Sequence, residues 1–339
     1  MNSLYAFTLL SLSVSGAPAT TPATNSDELS KPRRPVSTYS IVARDTSTGE
    51  IGVAVQSHWF SVGAVVPWAE AGVGAVATQS LVDPSYGPLG LEFMRAGRAA
   101  PDALKALVAG DPGRAVRQVA MIDAKGRVAA HTGEKCIQPA GHVVDTDVHF
   151  SVQANLMSNE TIWPSMAKAY RQAEGDLADR MIAALEAAQT AGGDIRGRQS
   201  AALLIVSGQS TGKPWVDRRF DLRVEDHPQP VQELKRLVQL QRAYLHMNEG
   251  DLAIEHKDFA SANREYTAAE KLAPHLVEIP FWRAVTLASN DRLEEALPIF
   301  KSVFKRERVW VELVPRLVRS ELLPNDPALI KKITAQAPK

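Results

Sequence analysis

From residue 37 to residue 45 the chain alternates small polar and apolar side chains, with Tyr39, Ile41 and Ala43 set against Thr38, Ser40 and Val42. That period of two predicts a half-buried strand. A turn cluster at 46–49 follows, then a second alternating run at 51–57, so the pair predicts a β-hairpin. Arg44 and Asp45 are read as stabilising its turn. Two further small-residue strands are expected at 61–68 and 72–79, where Gly63, Gly72 and Gly74 argue for bends or close backbone approach. Helices are expected near 89–95 and at 101–108, the second with Pro101 in its first turn and Gly110 as its stop. Strands return at 117–123 and 127–132, joined by a turn at 123–126, and again at 149–153. From Asn159 the period changes: Ile162, Met166, Ala169 and Tyr170 share a helical face, and Leu177, Met181, Ile182, Leu185 and Ala188 share another. Residues 200–206 form a continuous apolar run of the kind buried on both faces. A last strand is expected at 220–224. This order predicts an α+β domain of two antiparallel sheets stacked between helix layers.

The two ends of the chain have different textures. Residues 4–14 are mostly apolar, too few to span a bilayer and about the length of a signal-peptide core, with small residues at Ser15, Gly16 and Ala17. Segment 1–17 is therefore read as a signal peptide, which implies a periplasmic or secreted protein, although no Lys or Arg precedes it. Residues 18–37 are rich in Pro, Thr, Ala and Ser and read as a tether. From about 229 the chain is helical and repeats. Ala262 and Tyr266 recur as Ala296 and Phe300, an offset of 296 − 262 = 34 residues. That is the tetratricopeptide period. Residues 229–335 are expected to form a short tetratricopeptide-like array, with a generic helical bundle as the alternative. Such a tail is either a stabilising or dimerising appendage, giving a homodimer, or a docking groove for a protein partner.

Composition removes several function classes. Lys and Arg total 38, as do Asp and Glu, so no bulk basic field exists to attract nucleic acid or an anionic membrane. Cys136 is the single cysteine, which excludes an internal disulfide and a cysteine-based metal cluster. The eight histidines show no metal-ligand spacing, and no metal or cofactor is expected. Residues 208–212 match G-x-S-x-G, but a nucleophile elbow must run into a helix and Lys213-Pro214-Trp215 is read as opposing one. The same stretch has the wrong glycine spacing for a phosphate-binding loop.

Four stretches carry a resemblance. Residues 38–45, 74–79 (Gly-Ala-Val-Ala-Thr-Gln), 152–156 (Val-Gln-Ala-Asn-Leu) and 192–204 (Gly-Gly-Asp-Ile-Arg-Gly-Arg-Gln-Ser-Ala-Ala-Leu-Leu) together resemble a bacterial family of unknown function, number ten-twenty-eight. On fold, that family is placed among the N-terminal-nucleophile (Ntn) hydrolases. The resemblance covers about 38–225 and implies a four-layer αββα sandwich. Typical members begin Met-Thr, whereas here 37 residues precede Thr38, and the later motif has Ala154-Asn155 where Gly-Asn is usual.

For such a hydrolase, a cut before Thr38 would expose its α-amine as the base for its own hydroxyl. Gln79, Asn155 and Gln199 are then candidates for a side-chain amide at the oxyanion. Arg196 and Arg198 are candidates to grip a substrate carboxylate, and Asp194 to orient the ammonium or one of the arginines. The substrate implied is a small or peptide-like amide. The opposing expectation is a catalytically silent binding module, with Thr38 an ordinary strand residue and 194–198 a polar loop holding a salt bridge.

Overall fold

The computed structural model describes residues 38–338; the predicted signal segment and tether, 1–37, lie outside the described residues. The opening alternation does form a hairpin. Strand β1 (Thr38–Arg44) pairs antiparallel with β2 (Ile51–Ser57) in a register that sets Thr38 opposite Ser57. Asp45 closes the turn, its Oδ1 accepting from the backbone N–H groups of Ser47 at 2.8 Å and Thr48 at 2.9 Å.

Ten strands build two antiparallel sheets. Strands β3 (Pro67–Glu70) and β4 (Gly74–Ser80) precede helices α1 (Tyr86–Arg95) and α2 (Ala100–Gly110). Next come β5 (Arg117–Asp123), β6 (Val128–Thr132), β7 (Gly141–Asp145) and β8 (Phe150–Ala154). Helices α3 (Ile162–Gln172) and α4 (Leu177–Thr190) lead into β9 (Ser200–Val206), a single turn α5 (Pro214–Asp217), and β10 (Arg218–Val224). The six-stranded sheet runs β10-β9-β2-β1-β8-β7 and the four-stranded sheet β3-β4-β5-β6. The apolar run of β9 lies inside the larger sheet, between β10 and β2.

Alternation sorts the side chains into layers. Val42, Val53 and Val55 of the large sheet share a core with Ala75, Ala77, Ala120 and Ile122 of the small one. Their neighbours Tyr39, Ile41 and Ala43 point the other way, into a core with Met166 and Tyr170 of α3 and Met181 and Leu185 of α4. Val76, Val119 and Met121 pack against Leu91, Met94 and Leu104 of α1 and α2. A helix layer thus covers the outer face of each sheet.

Three local expectations are corrected. Residues 61–66 are not a strand. Ser61 has φ +57, residues Val62–Ala64 form a 3-10 turn, and Val66 N–H bonds back to Val62 O at 3.1 Å. Val62 and Val66 are both buried in the inter-sheet core, so burial one turn apart imitated alternation. Strand β7 was not foreseen, because its five residues lie at a sheet edge where one face needs no apolar stripe. Pro214 does not oppose a helix: it starts α5, because the missing proline N–H would be unpaired in a first turn anyway. The turn is four residues long, and Ser210 donates to Asp217 Oδ2 at 3.1 Å.

The C-terminal region is helical. Helix α6 (Pro230–Glu255) serves two cores. Val231, Leu234 and Val238 pack beneath the outer face of the large sheet, whereas Ala243, Met247 and Ile254 pack on Ala262 and Tyr266 of α7 (Phe259–Leu272). Helices α8 (Glu278–Ser289) and α9 (Leu293–Arg306) form the next layer, around Phe281, Phe300 and Phe304. Ala262 and Ala296 are buried at matching places in α7 and α9, as are Tyr266 and Phe300. The short helices α10 (Val309–Leu313) and α11 (Pro327–Thr334) close the region. No described helix is long and apolar enough to cross a membrane.

Because Leu234 is fully buried in the sandwich core, Leu234→Ala is expected to cost about 3 kcal/mol, read as a lower urea midpoint for the whole chain. A loss below about 1 kcal/mol would mean that the start of α6 is not part of that core.

Candidate functional site

At one end of the sandwich the register lines up small polar side chains. Across the large sheet, Ser200 pairs with Ser57 and Ser57 with Thr38. Asn155 follows just past the end of β8, its backbone N–H bonded to Thr38 O at 3.1 Å. One row deeper, Ser40 pairs with Gln153 and Gln153 with His142. The facing row of the small sheet is Gln79, Gln118 and Thr132. On the other strands these positions carry the parity that farther along carries the apolar inter-sheet core, and on β8 the same row continues as the buried Ser151, so all of them face the gap between the sheets. Thr38, Ser40, Ser57, Gln79, Gln118, Gln153, Asn155 and Ser200 are each fully buried.

Buried amides must find partners, and here they find one another. Gln79 Nε2 donates to Gln118 Oε1 at 2.7 Å and to Thr38 O at 3.2 Å, while its Oε1 accepts from Ser40 Oγ at 2.6 Å. Gln153 Nε2 donates to Ser40 Oγ at 2.6 Å. Gln118 Oε1 also accepts from Asn155 Nδ2 at 3.0 Å, and Gln118 Nε2 donates to Ala154 O and Thr132 Oγ1, each at 2.9 Å. Thr38 is held at its carbonyl by two donors, and its hydroxyl lies 3.3 Å from Ser57 Oγ. Asn155 Oδ1 is buried without a hydrogen-bond partner among the described residues. The structure therefore brings Thr38, Gln79 and Asn155 together.

The other sequence-predicted residues sit on the loop that enters β9. Gly192 and Gly193 turn the chain out of α4 with φ +125 and +62. Asp194 follows, its side chain fully buried, and Arg196 closes on it in a fork, Nη2 to Oδ2 at 2.7 Å and Nε to Oδ1 at 3.1 Å. Asp194 also accepts from the Arg196 N–H at 2.9 Å and the His58 N–H at 3.3 Å, which ties this loop to the end of β2. Gln199 contributes its backbone, its N–H bonding to Ser57 O at 3.1 Å and its carbonyl accepting from His227 N–H at 2.7 Å. Arg198 lies apart from Thr38's row and lines a cleft between α4 and the start of α6. Among the described residues no group of three His, Cys, Asp or Glu is gathered to hold a metal.

Ser40, Ser57, Gln118, Gln153 and Ser200 were missed from sequence. A signal was present: each is polar at the inward parity of its strand, in line with apolar inward residues on β2, β5 and β9. It has no meaning until register shows that these positions share one end of one gap.

Two outcomes follow from this geometry. Removing the Arg196 guanidinium leaves the buried Asp194 with backbone donors alone, so Arg196→Ala is expected to lower stability by about 2 kcal/mol. Chemical denaturation measures it, and an unchanged midpoint would make the fork dispensable. The second concerns pH. Gln118 donates to Thr132 Oγ1, and the same oxygen lies 2.8 Å from His142 Nδ1, which in the neutral imidazole can accept the Thr132 hydroxyl proton. Desolvation, with the neighbouring His131, holds the His142 pKa below its ordinary value. The unfolded imidazole takes its proton first as pH falls, so the stability supplied by neutral His142 is complete above about pH 6.5 and is lost below it. The stability gap between wild type and His142→Gln should narrow from about pH 7.5 to about pH 5.5; a constant gap would remove His142 from the chain of bonds.

The family model of a "family of unknown function (DUF1028)" matches residues 38–234, beginning at Thr38. No curated protein matches the chain. Among solved structures, the chain is similar to the crystal structure of a Silicibacter pomeroyi protein assigned to the same family. The two share 30% identity, with a TM-score of 0.54 over 60% of this chain and 85% of that one. On the span of the family match, which takes in both rows of the polar network and the loop entering β9, this chain belongs to the DUF1028 family.

Proposed function

We propose that the chain is the precursor of an N-terminal-nucleophile amide hydrolase in which Thr38 becomes the nucleophile after a cut between Ser37 and Thr38. The observation that carries this reading is that Thr38, first residue of β1, stands in the inter-sheet gap with its carbonyl held by Gln79 and Asn155. The helix–sheet–sheet–helix layering supports reading the domain as an Ntn-type αββα sandwich.

In the cut form, Thr38 Oγ1 attacks the amide carbonyl carbon of the substrate. Its proton passes to the Thr38 α-amine, which at a pKa of about 7.7–8 is partly neutral near pH 7. The carbonyl oxygen becomes an oxyanion, stabilised by amide N–H donors at this end of the gap, Asn155 Nδ2 among them. Collapse breaks the C–N bond, and the leaving amine takes the proton from the α-ammonium. Water then cleaves the acyl-threonine ester, releasing the acid and restoring the hydroxyl. Asn155 Oδ1, buried and without a partner among the described residues, is suited to hold the α-ammonium between steps. The substrate is a small or peptide-like amide. Export to the periplasm or beyond belongs to the same reading, on the strength of the apolar segment at 4–14, and the repeated α7 and α9 positions favour a tetratricopeptide-like tail that docks a protein partner.

A second reading is supported by the burial of Thr38: an uncut, silent sandwich used as a binding module. N-terminal sequencing and intact mass of the protein from its native host separate the two. The hydrolase reading expects a terminus at Thr38, with turnover of an amide library lost in Thr38→Ala and retained in part in Thr38→Ser. An intact Ser37–Thr38 bond in active protein, or full turnover in Thr38→Ala, would defeat it.

A further inference from the structure

Strand alternation gives β1 two chemistries. Thr38 faces the inter-sheet gap, and Tyr39 faces the opposite side, under α4 and α6. In the row across the outer face, Tyr39 pairs with Gln56 and Gln56 with Ala201. Tyr39 donates its hydroxyl to Gln189 Oε1 at 3.1 Å, which leaves the Gln189 amide nitrogen turned from the phenol. Burial pushes the Tyr39 phenol far above its ordinary range, and Gln189, which accepts from it, lines the same cavity as Arg198.

Above the row, a cavity of ≈ 330 Å³ opens between the end of α4 and the first turn of α6, lined by Glu186, Gln189, Thr190, Arg198, Gln229 and Gln232 among others. Glu186 is neutralised by Lys235, with Nζ–O distances of 2.9 and 3.1 Å. Arg198 makes no hydrogen bond or ion pair with another described residue, so the cleft carries one unspent positive charge. Gln229, the N-cap of the 26-residue α6, makes no side-chain cap bond. The N–H groups of Val231 and Gln232, in the first helical turn, have no intrahelical acceptor and add the positive end of the helix dipole. In the sheet below, Gln56 is fully buried beside Tyr39, and among the described residues neither its Nε2 nor its Oε1 has a partner.

We propose that this cleft binds a small carboxylate-bearing molecule at a site separate from Thr38, with Arg198 gripping the carboxylate in a bidentate fork and the first turn of α6 and the Gln189 and Gln232 amides holding its polar remainder. A single guanidinium, with the nearby lysine already spent on Glu186, matches a carboxylate better than a phosphate dianion.

The test is isothermal titration of the full chain at low salt with glutarate as the probe, alongside glutaramide and inorganic phosphate. Glutarate is expected to bind with a Kd of about 1 mM or below and glutaramide much more weakly. Arg198→Gln should weaken glutarate about tenfold or more, the loss of one charged hydrogen-bond pair. Arg198 is exposed, so this variant is expected to keep its fold, which its denaturation midpoint checks. Thr38→Ala should leave the affinity unchanged. Absence of saturable binding up to about 10 mM, an Arg198→Gln variant that binds as well as wild type, phosphate binding as tightly as glutarate, or loss of binding in Thr38→Ala would each overturn the proposal. None of these depends on turnover, so the site stands or falls apart from the hydrolase reading.

Discussion

Everything at the polar end of the sandwich depends on one side chain reaching across the gap between the sheets. Gln79 bonds to Gln118 on its own sheet and to Ser40 and the Thr38 carbonyl on the other. Each of those groups is removed from water, and an unpaired buried polar atom costs about 1–3 kcal/mol. The network is tolerable because its members satisfy one another, and it is unforgiving because few of them have a second choice. Asn155, whose Oδ1 has no partner among the described residues, is bonded through its backbone N–H to the Thr38 carbonyl.

The strict alternation of β1 then divides the chemistry. A register slip of one residue would exchange every side chain between the faces. It would carry Thr38 under the helices and Tyr39 into the gap. The pairing of β1 with β2 on one side and β8 on the other prevents this, because Ile41 and Phe150 would leave the outer core and Ser40 and Gln153 would enter it. The register that buries the apolar core is therefore the one that gathers the hydroxyls and amides, and no separate device is needed to aim them.

Helix α6 joins this domain to the helical region without a break. Its first half completes the core beneath the large sheet, and its second half begins the stack that α7, α8 and α9 continue. The cleft lined by Arg198 lies where that helix starts. Anything bound there touches the element that both regions share.

The hairpin of β1 and β2, the buried run of β9, the two amphipathic helices and the matched Ala262 and Ala296 positions were legible in the residues. Each is a local pattern, governed by a period of two or of 3.6 and by turn chemistry. Residues 61–66 misled, since a tight turn can bury Val62 and Val66 as an alternating strand would. Thr38, Gln79 and Asn155 were picked from motifs, but the residues that hold them, Ser40, Gln118 and Gln153, were not. Asp194 and Arg196 could be named as a group from their place in the family motif, yet their closure on each other and the separation of Arg198 into another cleft appear only in three dimensions. What the chain alone determined is which segments are strands and helices and which face of each is apolar, because those follow from neighbours a few residues apart. Which polar residues meet was decided by tertiary structure, because partners such as Ser40 and Gln153, or Gln56 and Tyr39, come together through sheet register and layer stacking, which local sequence does not encode.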